Sequence, residues 1–226
     1  MALVTIVLGI SACGDEPRQD ADEPSGEFPV EVTAAKFPTD QRLAKTGDLS
    51  LDVTNVGDKV VPDLVITIYT GDEKATGSFS VRSDQPGLAD PNRPVWILEN
   101  EFPKCVTDAS YKLEPDSSTR CVSPAEADSE GGLEKAQPAG AEAAQTNTFS
   151  FGELEPNDKI EMIWRLTPVV AGTYTVHYQL AAGLTGKAKA VTAGGGPVEG
   201  EFVVTVSDKP PQSSVADNGA VVTEGG

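Results

Sequence analysis

Ile160-Glu161-Met162-Ile163-Trp164-Arg165-Leu166 and Thr173-Tyr174-Thr175-Val176-His177-Tyr178-Gln179-Leu180 decide the fold class. In the first stretch Ile160, Met162, Trp164 and Leu166 alternate with Glu161, Ile163 and Arg165. In the second, Tyr174, Val176, Tyr178 and Leu180 alternate with Thr173, Thr175, His177 and Gln179. Successive side chains of a strand point to opposite faces, so this period of two predicts strands with one face buried and the other wet.

The same rhythm recurs on either side. Leu49, Leu51 and Val53 alternate with Ser50, Asp52 and Thr54, and Asn55-Val56-Gly57-Asp58 then reads as a turn. Val60 to Tyr69 contains β-branched Val65, Ile66, Thr67 and Ile68 and predicts a strand. Phe28 to Ala34 opens the series, and Phe202, Val204 and Val206 close it. No long segment has a 3.6-residue period with helix caps. Strands of this length separated by Gly, Pro and Asn turns predict an all-β chain, an antiparallel sandwich of about seven strands.

Residues 71–145 break the rhythm and read as a long, loop-rich insertion. Short strands are expected at Gly77–Arg82 and Pro94–Leu98, and Ala125–Gln145 reads as a loop or a frayed helix. Residues 28–206 then form the sandwich with its insertion. Residues 207–226 form a polar tail, expected to be disordered or loosely docked.

The N-terminal end carries an address. Ala2 to Ile10 is an apolar run of signal-peptide length, about 7–15 residues, and well short of the ~20 that span a bilayer. Ile10-Ser11-Ala12-Cys13 resembles the bacterial lipobox. That resemblance implies that residues 1–12 are a signal peptide and that Cys13 becomes the lipidated first residue, carrying palmitate-type acyl chains. No Lys or Arg precedes Cys13, which departs from the pattern and places the expected translation start upstream. The other readings are a non-lipidated export signal or a buried strand with a structural cysteine. Residues 13–27, acidic and almost without apolar side chains, read as a tether that cannot repay its ordering entropy.

The chain has 226 residues, 35 of them acidic against 17 basic, for a net charge of −18. Such a surface is repelled by nucleic acid and by anionic headgroups, so nucleic acid is excluded as a partner. Cys105 and Cys121 are expected to form a disulfide in an exported protein. A metal site would want CxxC spacing or neighbouring His, and neither is present.

A family resemblance rests on particular residues. Leu49–Gly57 is similar to the signature of bacterial Ig-like modules of the cell-adhesion-related type. So is Gly152-Glu153-Leu154-Glu155-Pro156-Asn157-Asp158 leading into Ile160–Leu166, followed by Gly172-Thr173-Tyr174-Thr175-Val176. Asn157 stands where that family has Gly, and Asn tolerates positive φ. The resemblance implies an Ig-like sandwich with Trp164 as core aromatic and Tyr174 in a tyrosine corner. Val176 replaces the second inter-sheet cysteine of antibody domains. The whole chain also resembles actinobacterial-type surface lipoproteins without assigned activity. Sandwiches host many roles, so the likeness implies fold rather than function.

The sequence carries no recognisable catalytic framework. His177 is the single histidine and falls on the wet face of its strand, not beside a poised serine. There is no Gly-x-Ser-x-Gly elbow, His-Glu-x-x-His or Walker loop. Gly194-Gly195-Gly196 reads as a flexible connector. No cofactor or resident metal is expected. Calcium is the one ion the composition would suit, with Asp84, Asp90 and Asn92, or Asp72 and Glu73, as oxygen donors, although no spacing matches an EF-hand.

The candidate binding surface is the proline-stiffened stretch with Asp90, Arg93 and Trp96, because Arg and Trp are enriched at interface hot spots. The alternative reading has Trp96 packed on the sandwich and Arg93 paired with a local acid. The expected function is a lipid-anchored, non-catalytic Ig-like binding or scaffold protein on the outer face of the cytoplasmic membrane. Its partner would be an envelope protein or a wall polymer. The alternative is an envelope hydrolase with a carboxylate site in residues 71–145. A solute-capturing receptor ranks last, since the two-lobed α/β pattern of such receptors is missing.

Overall fold

The computed structural model describes residues 23–71, 79–81, 94–99, 103–107, 121–135, 141–143, 147–209, 212–215 and 221–224. Two sheets face each other across one apolar core. In sheet one, β1 (Gly26–Lys36), β3 (Gly47–Asn55) and β10 (Lys159–Pro168) lie side by side and antiparallel. In sheet two, β4 (Val65–Thr70), β11 (Gly172–Ala181) and β13 (Glu199–Ser207) do the same, with β11 central.

Shorter strands extend both sheets. Sheet one adds β12 (Ala188–Val191) beside β1, while β6 (Trp96–Leu98) and β7 (Lys104–Thr107) pair with β10. β5 (Phe79–Val81) lies outside β6. Sheet two adds β2 (Asp40–Arg42) beside β13, and β9 (Thr148–Ser150) then β8 (Ala141–Ala143) beyond β4. The fold is therefore the expected all-β sandwich, with two differences. It has more strands than the predicted seven, because the insertion lends short strands to the sheet edges. It is also not purely antiparallel: β1–β12, β2–β13 and β5–β6 are parallel pairs.

The alternation read in the sequence sets the core. Leu49, Leu51 and Val53 of β3 and Ile160, Met162, Trp164 and Leu166 of β10 point inward against Ile66, Ile68, Val176, Leu180 and Val204 of sheet two, all buried. Trp164 is enclosed by Phe149 and Phe151, each edge-on at ring separations of 5.9 and 5.8 Å. Its indole N–H is buried without a hydrogen-bond partner among the described residues. Each fully buried side chain of this size adds roughly 1.5–3 kcal/mol through removal of apolar surface from water.

Turn chemistry follows the expected lines. Asn157 adopts φ +68°, the left-handed conformation that suits Asn where Gly is usual. Tyr174 donates its hydroxyl to the carbonyl of Ala171 at 3.0 Å, which makes the tyrosine corner. Its ring lies so close over Gly172 (φ +151°) that a Cβ there would meet the hydroxyl at 2.7 Å. Asn55, read only as a turn residue, is fully buried. Its amide donates to the carbonyls of Lys59 and Leu154, and its Oδ1 accepts from the N–H of Gly57. It ties the turn after β3 to the one before β10.

Two strand boundaries differ from expectation. The Val60–Tyr69 strand is broken: Val61 bridges Leu154 and β4 starts only at Val65, consistent with Pro62 lacking a ladder N–H. β1 begins at Gly26 rather than Phe28, and Glu23, inside the presumed free tether, is hydrogen-bonded to Thr185 and Ala188. In the C-terminal tail, β14 (Gln212–Val215) and β15 (Val221–Glu224) pair with each other as a hairpin. The glycine connector is a hydrogen-bonded turn, from Gly195 N–H to Thr192 O at 2.8 Å, and not a loose link.

Candidate functional site

Trp96 is not a surface residue. It is fully buried, and its indole N–H donates to Oε1 of Gln41 at 2.8 Å. Phe37 and Tyr174 pack on its ring at centroid separations of 5.9 and 5.3 Å. The expected hot spot is thereby corrected to a core anchor. Trp96 faces inward on β6, and Gln41 supplies the acceptor that makes burying an indole inexpensive. Asp90 and Arg93 lie outside the described residues, as do the calcium donors Asp72, Glu73, Asp84, Asp90 and Asn92, and Cys13. Among the described residues no group of three His, Cys, Asp or Glu side chains is placed to hold a metal ion.

The insertion does build a surface, one step further along the chain. Cys105 on β7 and Cys121 form the expected disulfide, with Cα atoms 4.5 Å apart. Both cysteines are part of the main core, so the bridge pins from the inner side the segment whose continuation, from Val122, covers the outer face of sheet one. Ser123 then caps α1 (Pro124–Ala127): its hydroxyl accepts from Glu126 N–H, and the Glu126 carboxylate accepts from Ser123 N–H. This reciprocal pair satisfies donors that a helix start leaves open. A second turn, α2 (Gly132–Lys135), follows, and Lys104 donates to the carbonyl of Leu133.

Beneath this layer Val106 and Val122 form a small second core with Ala127, Leu133 and Ile163. Ile163 is the one apolar residue on the outward side of β10, between Glu161 and Arg165, and this cover explains its place. A cleft of about 320 Å³ opens beside it, lined by Val106, Thr107, Leu133, Lys159, Glu161 and Ile163. Lys159 pairs with Asp52 at 2.6 Å. Burial, reinforced by the nearby charge of Asp52, pushes the Glu161 carboxyl above the usual carboxylate range against the pull of Lys36 and Lys159. The cleft thus combines an apolar wall with one acid that holds its proton more readily than usual.

The outer face of sheet two differs in kind. His177 lies there as expected. It stacks on Tyr69 with ring centroids 5.1 Å apart and planes inclined by 23°, and its Nδ1 is 3.5 Å from the Glu201 carboxylate. The register places the three residues in one row across β4, β11 and β13. The neighbouring row is Thr148, Thr67, Gln179 and Glu199, with the Thr67 and Thr148 hydroxyls 2.8 Å apart. Gln179 and Thr67 also line a cleft of about 410 Å³ closed by Lys189, Ala190 and Pro197. The sequence placed His177 on this face but not Tyr69 opposite it, because cross-strand register depends on how distant segments pair.

Two carboxylates at one end of the sandwich have shifted affinities for protons. Asp63 accepts from the Ser150 hydroxyl at 2.6 Å and the Gly152 N–H at 3.0 Å. Burial nevertheless holds its pKa above the ordinary value, with the Glu23 charge adding to the rise. Burial also raises that of Glu23, but hydrogen bonds from the 184–188 segment outweigh it and leave the group below its ordinary value.

No family model matches the chain, and no curated protein matches it. Solved structures similar to it include the CARDB domain of a Pyrococcus furiosus protein in complex with di-metal ions. That match has a TM-score of 0.40 and 12% identity, covering 82% of this chain and 99% of that one. Another is the collagen-binding domain from a Staphylococcus aureus adhesin, with a TM-score of 0.36 and 10% identity over 78% of this chain and 96% of that one. A third is PapD-like domain 7 of human CEP192, with a TM-score of 0.31 and 12% identity over 91% and 100%. By its own topology, core and tyrosine corner, this chain is an Ig-like β-sandwich.

Proposed function

We propose that this chain is a lipid-anchored, non-catalytic binding or scaffold module on the outer face of the cytoplasmic membrane. It meets an envelope protein or a wall polymer through the disulfide-clamped face of sheet one. The lipobox-like Ile10-Ser11-Ala12-Cys13 supports the anchor. The observation that carries the choice of surface is the cleft beside Ile163, where an outward apolar side chain and a second small core are fastened to a sandwich whose main core is already filled. Loops and attached layers on a rigid sandwich are where such folds carry recognition.

The test is crosslinking in intact cells followed by pull-down and mass spectrometry, comparing the parent with Ile163→Glu. One envelope protein enriched with the parent and lost with the variant supports the reading. Enrichment that is indifferent to Ile163→Glu removes this surface from it. The anchor is tested separately by labelling with a clickable fatty acid, which Cys13→Ser should abolish. The alternative, an envelope hydrolase, has one observation in its favour: the proton-holding carboxyl of Glu161 in the cleft. Hydrolysis of a glycan or ester by the purified chain, lost in Glu161→Gln, would move the assignment there.

A further inference from the structure

We infer that the outer face of sheet two is a glycan-binding surface whose occupant is an uncharged polysaccharide. The Tyr69–His177 stack is its aromatic contact, and the cleft at Thr67 and Gln179 is its polar seat. This goes beyond the reading above. It concerns the opposite face of the sandwich and depends on neither the lipid anchor nor the cleft at Ile163.

The face has the chemistry that sugars require. Tyr69 and His177 stand together on adjacent strands and are only partly covered. The partly exposed stack offers ring edges, a phenol hydroxyl and an imidazole to the mixed C–H and hydroxyl surface of a pyranose. Two residues along the same strands, Thr67 and Gln179 lead into the 410 Å³ cleft, a volume within the ordinary range for a ligand site. Towards the other end of the face stand Thr173, Thr175 and Thr205, and Val203, 56% exposed, is the one large exposed aliphatic residue of β4, β11 and β13 among the described residues. A surface this poor in exposed apolar area does not suit a protein hot spot or a lipid tail.

Charge narrows the class of sugar. Exposed Glu27, Glu199 and Glu201 stand around the cleft and the aromatic row, and Lys189 is the cation lining the cleft. That balance, on a chain of net charge −18, repels polyanions. It leaves carboxylates and hydroxyls to accept and donate hydrogen bonds to neutral sugar hydroxyls.

The full chain is run by affinity electrophoresis in gels containing hydroxyethylcellulose, glycol chitin or polygalacturonate. Retardation by at least one neutral polymer and none by polygalacturonate is expected. Tyr69→Ala and His177→Ala should each weaken it about tenfold, the scale of one lost aromatic contact. Tyr69→Phe should keep it. Titrating the unmodified chain with cellohexaose or chitohexaose should shift the amide resonances of residues 67–69 and 177–179, which guards against a variant that merely misfolds. Ile163→Glu should bind glycan normally, so failure here and failure of the cleft reading are distinguishable. No retardation by either neutral polymer, equal retardation by polygalacturonate, or retardation undiminished by both aromatic variants would overturn the inference.

Discussion

The two outer faces of the sandwich are built on the same period-two strands and have opposite designs. On sheet one, the outward side of β10 carries Ile163 among charged neighbours and is partly roofed by a short helical layer held by Cys105–Cys121. On sheet two, the outward sides of β4, β11 and β13 carry Thr, Gln, Tyr, His and Glu, with Val203 exposed among them. The difference teaches that an outward apolar residue in an alternating strand does not by itself announce a cover: Ile163 packs under the insertion, whereas Val203 on β13 is exposed. A polar face with a paired Tyr and His needs no cover, and what it offers is hydrogen bonds and an aromatic edge.

The sharpest way to break this contrast is Trp96→Ala. Were Trp96 a surface anchor, its loss would spare stability. Because it is a buried residue hydrogen-bonded to Gln41, the cost is expected at about 3–5 kcal/mol by urea unfolding. A change below 1 kcal/mol would return Trp96 to the surface. Next in size, Cys105→Ala with Cys121→Ala should cost about 3 kcal/mol, since the bridge closes a loop of sequence separation 16. Hydrogen exchange should rise around Val106 and Val122 and stay unchanged in β11 and β13. Equal loosening of both sheets would mean that the layer is not a separate attachment.

A smaller effect tests the end shared by both sheets. Asp63 has a raised pKa, so its contribution to stability is full below the ordinary carboxylate range and is lost as pH rises through the raised value. Asp63→Asn keeps an oxygen for Ser150 and Gly152 but carries no charge. The variant should be at least as stable as the parent at neutral pH, with the gap closing on acidification. A gap that widens towards low pH contradicts the assignment. The smallest effect belongs to the bare face: Tyr69→Ala should leave the unfolding free energy within about 0.5 kcal/mol, as at other surface positions. A loss above 1.5 kcal/mol would make the Tyr69–His177 stack structural.

Much of the sandwich was legible because alternation is a local property. The residues read as inward on β3, β10 and β13 are buried, with Phe202 and Tyr174 packed against the core's edge. The tyrosine corner was legible in Gly172-x-Tyr174, since the motif fits the close approach of ring to glycine. The site was far less so. Trp96 and Arg93 share a stretch whose composition suits an interface, yet composition does not say which side of a three-residue strand faces inward. Gln41, the partner that settles it, lies 55 residues away. The covering layer was unreadable for the same reason, because Ala125–Gln145 is weakly patterned in sequence, and its described first part, through Leu133, is placed by the bridge at Cys121 and by Lys104 rather than by its own period.

By itself the sequence determined the all-β class, the inward residues of the long strands, the Cys105–Cys121 pairing and the wet side of His177. These follow from rules that act within a few residues, or from two cysteines with no third in the domain. The tertiary structure alone decided the parallel edge pairs, the burial of Trp96, the layer over Ile163 and the meeting of Tyr69 with His177. Each depends on which strands become neighbours. That choice is made by packing the whole core, and it brings together residues that no local pattern links.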